Sequence, residues 1–135
     1  MTETNNASSP ILKTRIGSVW IGEDGIIRGV ITVPNAEQTL DDAIETVNVI
    51  KTLCAGKPYP LLSDVRNIQS ADRDARNYFA REENAHLILA NAVLVGSYVS
   101  KMVVNFYLTI NKPAFPIRMF TSEAEAIAWL KLFMD

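Results

Sequence analysis

The segment Leu61-Leu-Ser-Asp-Val65 decides the fold of this 135-residue chain. It is short and mostly apolar, and polar or Pro-containing loops bound it on both sides, which is typical of a strand buried inside a parallel sheet. A second segment of the same kind, Ala90-Asn-Ala-Val-Leu-Val95, ends at Gly96. Both segments therefore predict central strands, and the chain between them must cross over the sheet.

Apolar residues at helical spacing precede, separate and follow these two strands. Residues with good capping chemistry stand where the helical patterns begin, and Gly stands where the first one ends. The four predicted helices run from the N-cap Thr39 to Gly56, over 71–86 after an N-cap at Ser70, over about 98–111, and from Thr121 or Ser122 to the end of the chain.

Two β-prone runs, 11–21 and 26–33, lie on either side of Asp24-Gly25 and predict an N-terminal hairpin. A last short strand is expected at Ile117–Phe120. Strands that alternate with helices indicate parallel pairing through right-handed crossovers. The predicted fold class is therefore α/β, with a single-layer, mixed, mostly parallel five-stranded sheet, an N-terminal β-hairpin and four helices.

The N-terminal residues 1–10 are polar and carry no apolar core of a signal peptide, so they are expected to form a disordered arm. Residues 11–135 then make one domain of ordinary size. No apolar run approaches the length of a membrane-spanning helix, so no membrane association is expected. The expected compartment is the cytoplasm, which a single cysteine fits.

Composition excludes several classes of function. The net charge is −2, which gives no support to a nucleic-acid or anionic-membrane partner. With one Cys and one His, the chain offers neither a disulfide framework nor a common metal site. Phosphate-cradling and dinucleotide-binding motifs are also missing from the sequence, so no cofactor is expected.

Catalytic motifs are missing as well, and the chain is not expected to be an enzyme. His86 falls late in the second predicted helix, away from the strand ends where α/β sites lie. Cys54 falls on the inward face of the first helix, where a thiol is usually inert. An enzyme would have to use Asp64 as a base without a second catalytic group at a suitable spacing.

Polar and basic residues follow the first central strand and form a candidate interaction or anion site. The carboxyl end of that strand, a helix N-terminus and several guanidinium groups would favour a phosphate or carboxylate. The alternative is structural, with an ion pair, a helix cap and solvated charges. The residues concerned are Asp64, Arg66, Ser70, Arg73, Arg76 and Lys101.

The third predicted helix carries more apolar residues than one face needs. Its core stripe is expected at Val99, Met102, Val103, Phe106, Tyr107 and Ile110. Val104 and Leu108 lie off that stripe and make a candidate oligomer surface, with plain burial as the alternative. Association through this helix predicts a homodimer.

Two stretches resemble a known family. Leu61-Leu-Ser-Asp64 before a short loop and helix, and Phe120-Thr-Ser-Glu-Ala-Glu-Ala-Ile-Ala-Trp-Leu130, are similar to the SpoIIAA-like, or STAS-like (STAS/SEC14-type), small bacterial domains. The resemblance covers about residues 17–130. It implies a small α/β fold in which helices pack on a mixed sheet.

The best-known members of that family bind a partner kinase and are phosphorylated on a Ser at the start of a helix. Asp72-Arg73-Asp74-Ala75 stands at that place here, with Arg73 instead of the Ser. The resemblance therefore implies a non-catalytic bacterial regulatory or protein-interaction domain with an unknown partner. The phosphorylated Ser itself is not matched, because Arg73 stands in its place. The alternative is a protein that binds a small anionic or lipid-like ligand.

Overall fold

The computed structural model describes residues 6–134. In chain order, its strands and α-helices are β1 (Leu12–Lys13), β2 (Gly17–Ile21), β3 (Ile27–Ile31), β4 (Ala36–Gln38), α1 (Leu40–Cys54), β5 (Tyr59–Asp64), β6 (Ile68–Ala71), α2 (Arg73–Phe79), β7 (Ile88–Leu94), α3 (Tyr98–Ile110), β8 (Ile117–Phe120) and α4 (Glu123–Lys131). A short 3₁₀ helix, Glu82–His86, lies between α2 and β7. No helix in this part of the chain is long and apolar enough to cross a membrane.

The main sheet has the strand order β1-β2-β3-β5-β7-β8. The pairs β1–β2 and β2–β3 are antiparallel, whereas β3–β5, β5–β7 and β7–β8 are parallel. This confirms the predicted α/β class, the mixed and mostly parallel sheet, the N-terminal hairpin and the four α-helices. The sheet has six strands rather than five, because a turn divides the run 11–21 into β1 and β2.

That turn depends on Gly17. The Gly17 N–H donates to Thr14 Oγ1 at 2.9 Å, and Thr14 N–H donates to Gly17 O at 2.9 Å. A Cβ atom at position 17 would lie 1.8 Å from Val30 O on the neighbouring strand. Only glycine therefore allows β2 to approach β3 at this point.

A second, two-stranded parallel sheet pairs β4 with β6 and was not predicted. Both strands are short and largely polar, so neither carries a period-two apolar pattern. Because residues 68–71 are extended, Ser70 lies in β6 and is not a helix N-cap. Asp72 takes the N-cap position of α2.

The second predicted helix, 71–86, is in fact two elements. The Asn84 side chain donates from Nδ2 to Tyr78 O and Phe79 O, both at 2.9 Å. These bonds satisfy carbonyls that end α2, and the chain continues as the 3₁₀ helix. The predicted helix therefore ends at Phe79, and His86 lies at the exposed end of a separate turn.

Helix α1 begins as predicted, with Thr39 as its N-cap. Thr39 N–H donates to Asp42 Oδ2 at 2.9 Å, and Asp42 N–H donates to Thr39 Oγ1 at 3.3 Å, which completes a capping box. Arg15 also donates to both oxygens of Asp42, at 2.6 Å each. This ion pair fastens the turn between β1 and β2 to the start of α1.

Helices cover both faces of the main sheet, since successive side chains of a strand point to opposite faces. On one face, α4 packs Ala126 and Leu130 on Leu62, Ala92 and Leu94. On the other face, α1 packs Ile50 and Cys54 against β2, β3 and β5, and α3 lies near β7. We call these the α4 face and the cavity face.

The predicted disordered arm, 1–10, falls partly outside the described residues, which begin at Asn6. The described part is held against β2. Ser8 N–H donates to Ile21 O at 2.8 Å, and Ser9 Oγ accepts from Ile21 N–H at 2.8 Å. Ala7 also forms a β-bridge with Gly22, so the described residues of the predicted arm are ordered.

Candidate functional site

Asp64 and Arg66 are together at the end of β5, as the sequence suggested. Arg66 Nη2 lies 2.6 Å from Asp64 Oδ2, and Arg66 Nε lies 3.0 Å from Asp64 Oδ1. These hydrogen bonds raise the pKa of Arg66 above its usual value. The stem of Arg66 lies on Gly96, where a Cβ atom would be 3.2 Å from Arg66 Cγ. The two side chains therefore form an ion pair beside the carboxyl ends of β5 and β7, and neither charge is left without a partner.

The rest of the predicted anion site does not gather around this pair. Ser70 is exposed in β6, because the extra strand carries the chain away before α2 begins. Arg73 is exposed and faces Asp74 at 3.7 Å, and Lys101 is exposed on α3. Arg76 alone turns inward, toward the cavity face. The six residues therefore do not form one site.

The predicted oligomer surface on α3 is also corrected. Val104 is 5% exposed and packs with Val93 and Val95, and Leu108 packs against the same cluster. The outer side of α3 instead carries apolar side chains that were expected in the core, with Met102 54% exposed. These outer residues, here called the α3 outer face, are Tyr98, Val99, Met102, Phe106 and Ile110.

Ser100 explains the rotation of α3. Its side chain is fully buried, accepts from the N–H groups of Gly96 and Ser97 at 3.1 and 3.0 Å, and completes a capping box. The inward stripe starts at this polar residue and continues through Val103, Val104 and Tyr107. Two stripes of equal spacing compete in this helix, and the one that begins with a serine faces the sheet.

A cavity of about 140 Å³ lies on the cavity face, between the sheet and helices α1, α2 and α3. Its lining is mostly apolar and includes Ile50, Leu61, Val93 and Val103. Gly29 also lines it and leaves part of the space open, because a Cβ atom there would meet nothing closer than Leu61 Cδ1 at 4.0 Å. An apolar space of this kind is where a small molecule can replace missing packing.

The sheet side of the cavity carries one polar pair, Ser63 and Asn91. Ser63 Oγ donates to Asn91 Oδ1 at 2.8 Å. Because Oδ1 is the acceptor in this bond, the Asn91 amide presents its Nδ2–H groups, which have no acceptor within residues 6–134. Asn91 is nevertheless buried in a central strand. We call Ser63 and Asn91 the floor pair.

The helix side of the cavity also has unused polar groups. Arg76 stacks on Phe106, with its Cζ 4.6 Å from the ring centroid, and its buried Nε–H has no acceptor in the described chain. Asn84 Oδ1 is likewise buried without a donor. Burial raises the pKa of Tyr107, so its phenol keeps its proton at neutral pH. The cavity therefore combines apolar walls with a few donors and one acceptor that make no hydrogen bond in the described chain.

A second recess of about 220 Å³ lies on the α4 face, beside Trp20, Arg28, Asp64, Arg66 and Glu123. Arg28 is 3% exposed and donates to both oxygens of Asp24, at 2.7 and 2.8 Å. Burial opposes ionisation of Asp24, but the bonds from Arg28 and from Ile26 N–H outweigh it and lower its pKa. With Arg66 also paired, the arginines of this recess already have their counter-charges.

Neither of the sequence's reactive side chains lies at a functional position. Cys54 is buried in the core, and burial raises the pKa of its thiol from 9.0 to about 11, which leaves it protonated at neutral pH. His86 is exposed on the 3₁₀ helix. Within residues 6–134, no three His, Cys, Asp or Glu side chains come together as a metal site would need.

Of the residues that line the cavity, sequence reasoning named Arg76 but missed the floor pair. The signal for Asn91 was present, since it is the one residue that interrupts the apolar run 87–96 before its glycine. A polar side chain in a buried strand needs a hydrogen-bond partner, either in the protein or in a ligand. Ser63 was hidden in the same way, as a small polar residue inside a strand.

A sequence model of one family, described as "Domain of unknown function (DUF7793)", matches residues 19–134. No curated protein matches the chain. Among solved structures, the chain resembles an uncharacterised protein of the DUF3478 family from Shewanella loihica PV-4, which has a SpoIIAA-like fold. The two are 12% identical, the alignment covers 96% of this chain and 98% of the other, and the TM-score is 0.54.

A second solved structure, a protein of unknown function from Arthrobacter sp. FB24, is 30% identical. That alignment covers 90% of this chain and 97% of the other, with a TM-score of 0.33. The Shewanella comparison confirms the SpoIIAA-like fold that the two sequence stretches suggested. It does so at the level of the fold alone.

Proposed function

The chain belongs to the DUF7793 family, and we propose that it is a non-catalytic binding protein whose cavity holds a small, largely apolar molecule. The observation that carries the proposal is the cavity between the sheet and helices α1, α2 and α3. Interiors of proteins are normally close-packed, and an unfilled apolar space costs stability. A space that is kept despite this cost is best explained by a ligand.

The size of the cavity limits the ligand. A volume of about 140 Å³ is similar to that of an apolar cavity of about 150 Å³ that binds benzene. The cavity therefore has room for one aromatic ring with a small substituent, or for a short aliphatic chain. Because the cavity is partly open to solvent, a longer ligand would project out of it.

The lining of the cavity favours binding over catalysis. Among the described residues that line it there is no Asp, Glu, His, Cys or Lys, and Arg76 is the one charged side chain. Ser63 donates to an amide rather than to a base, and burial raises the pKa of Tyr107, so neither hydroxyl is activated for nucleophilic or acid–base chemistry. The lining offers contact and hydrogen bonding, which suit a carrier or a sensor.

Filling the cavity tests the proposal. A Cβ atom at position 29 would lie 4.0 Å from Leu61 Cδ1, so alanine fits without displacing a neighbour and leaves most of the space open. Leucine would place three more carbon atoms in the cavity. We expect toluene to shift backbone amide resonances around the cavity in the wild type and in Gly29→Ala. We expect no such shifts in Gly29→Leu. Equal shifts in all three proteins, or none in the wild type, would contradict the proposal.

A second candidate is the regulatory protein-interaction role, which the α3 outer face favours. Tyr98 is 77% exposed, and four further apolar side chains of α3 reach solvent beside it. The 13-residue helix has Lys101 as its one charge, so little opposes apolar contact. A protein partner, including a second copy of the chain in a homodimer, would bind here.

Sedimentation measures this second role directly. We expect the wild type to form a dimer and Met102→Glu to sediment as a monomer, because a carboxylate in an apolar interface has no partner. Lys101→Glu, with the same charge placed on the neighbouring residue, is the control. A monomeric wild type over the full concentration range would exclude the homodimer.

A further inference from the structure

Arg76 is the one half-buried arginine that has no ion pair within residues 6–134. Of the seven arginines, five form ion pairs with acidic side chains in this part of the chain, and Arg76 and Arg118 do not. Arg118 is exposed, and its Cζ lies 5.1 Å from the Phe120 ring centroid. Arg76 is half-buried beside an apolar cavity, so water compensates its charge less well. An anion bound in the cavity would balance this positive charge.

Asp72, which the sequence places one helical turn before Arg76, does not form an ion pair with it. Asp72 stands four residues earlier, a spacing that often gives an ion pair. Asp72 is instead the exposed N-cap of α2, and no acidic oxygen in residues 6–134 lies within 4.0 Å of the Arg76 guanidinium. The guanidinium lies over the half-exposed ring of Phe106, with Cζ 4.6 Å from the ring centroid, so it stands at the margin between the cavity and the α3 outer face.

The floor pair provides further donors to the same cavity. Asn91 Oδ1 accepts from Ser63, and the Nδ2–H groups of the same amide make no hydrogen bond within residues 6–134, so they are free to donate to a ligand. Tyr107, which also lines the cavity, retains its O–H donor. Donors thus stand on both the sheet side and the helix side, and a ligand with acceptor oxygens satisfies them, whereas the acceptor Asn84 Oδ1 gains no partner from such a ligand.

Resting on the proposed function, we propose that the ligand is a small apolar carboxylate, an aromatic or short-chain carboxylic acid anion, held by Arg76 and Asn91. Arg76 supplies the positive charge, and the Asn91 amide donates to a carboxylate oxygen. The apolar remainder of the ligand fills the space beside Gly29, Leu61 and Val93. Hydrogen bonds to an ionised acceptor are stronger than neutral ones, so the head group fixes the orientation.

The choice of a carboxylate follows from the size and polarity of the site. A phosphate or sulfate brings more charge and more oxygens than one arginine and one amide can satisfy. An amine or ammonium would face Arg76 with like charge. A neutral hydrocarbon would fill the space but leave the buried Arg76 Nε–H unpaired, which is costly.

The test compares three probes of nearly equal shape, which are benzoate, toluene and benzylammonium. Binding to the full-length protein is measured by amide chemical-shift titration at neutral pH. We expect benzoate to bind about tenfold or more tightly than toluene, because a charge-assisted hydrogen bond contributes at this level. We expect benzylammonium not to bind.

Two variants and one control then locate the head group. Arg76→Gln should weaken benzoate about tenfold and leave toluene unchanged. Asn91→Asp keeps the size of the side chain but places a negative charge beside the ligand, so it should abolish benzoate binding. Arg118→Gln removes the other arginine without an ion pair and should change nothing, because Arg118 does not line the cavity.

The outcomes separate this inference from the proposed function. Toluene binding without a preference for benzoate, or benzoate binding that Arg76→Gln leaves unchanged, would overturn the carboxylate and keep the cavity as a binding site. If none of the three probes bound the wild type, the proposed function would fall together with the inference. A preference that Arg76→Gln and Asn91→Asp both remove would support the carboxylate.

Discussion

The two faces of the main sheet use the same strands but are filled in different ways. On the α4 face, the small side chains of Ala90 and Ala92 allow Leu130 to lie against the strands, and all three are fully buried. On the cavity face, Asn91 and Val93 of the same strand line the cavity. The comparison teaches that one face supplies stability through packing, and the other is free to bind a ligand.

The helices of the cavity face are held at their edges. Arg15 pairs with Asp42 at the start of α1, and Asn111 Nδ2 donates to Asn77 Oδ1 at 2.6 Å between α3 and α2. Arg76 over Phe106 adds a further contact between the same two helices. Polar contacts at the margins therefore compensate for the packing that is missing at the centre.

The largest expected effect comes from the α4 face. Leu130→Ala removes a fully buried side chain from close-packed surroundings and should lower the free energy of unfolding by about 3 kcal/mol. Leu87→Ala is the matched change on the cavity face, where the side chain is half-buried beside existing space, and should cost about 1 kcal/mol. Urea unfolding measures both losses. Equal losses would show that the two faces are packed alike.

Low pH should destabilise the protein mainly by protonating Asp42, at the edge of the cavity face. Hydrogen bonds from Arg15, opposed by burial and supported by Thr39, lower the pKa of Asp42 from 3.8 to about 2. Since the folded pKa lies below the unfolded one, the stabilisation is complete above about pH 4 and is lost as the pH falls through 2. The loss should be about 1–2 kcal/mol, because Arg15 is partly exposed to solvent.

Asp42→Asn provides the control for this titration. Unfolding free energies of the variant and the wild type, measured at pH 6 and pH 2, should differ more at pH 6. A difference that stayed constant between the two pH values would mean that another carboxyl group carries the acid sensitivity. Asp24, whose pKa is also lowered, belongs to the α4 face and is unaffected by the substitution.

The sequence predicted the parts of the fold that long apolar patterns determine. The strands β5 and β7, the hairpin and the capping box at Thr39 all have local signals, and the structure contains each of them. Strands β4 and β6 have no such signal. They are extended because they pair with each other, and that pairing depends on residues 32 positions apart, Ala36 and Ile68.

The candidate site was less predictable, for the same reason. The sequence predicted that a helix starts at Ser70, which would have placed Arg73 and Arg76 close to Asp64. In the structure, strand β6 lies between them and separates these residues. The cavity itself cannot be inferred from the sequence, because a void is defined by what several elements fail to fill. Asn91 was the one local signal, since a polar side chain in a buried strand requires hydrogen-bond partners that the sequence does not identify.

The smallest expected effect compares the two sides of α3 and tests how the helix is rotated. Met102→Gln changes an exposed side chain on the α3 outer face and should alter the free energy of unfolding by less than about 0.5 kcal/mol. Val104→Ala, two residues away, opens a gap next to Val93 and Val95 and should cost clearly more. A costly Met102→Gln beside a neutral Val104→Ala would mean that the stripe starting at Val99 faces the sheet. Any dimer should be kept dissociated by dilution, since burial in an interface would make Met102→Gln costly for another reason.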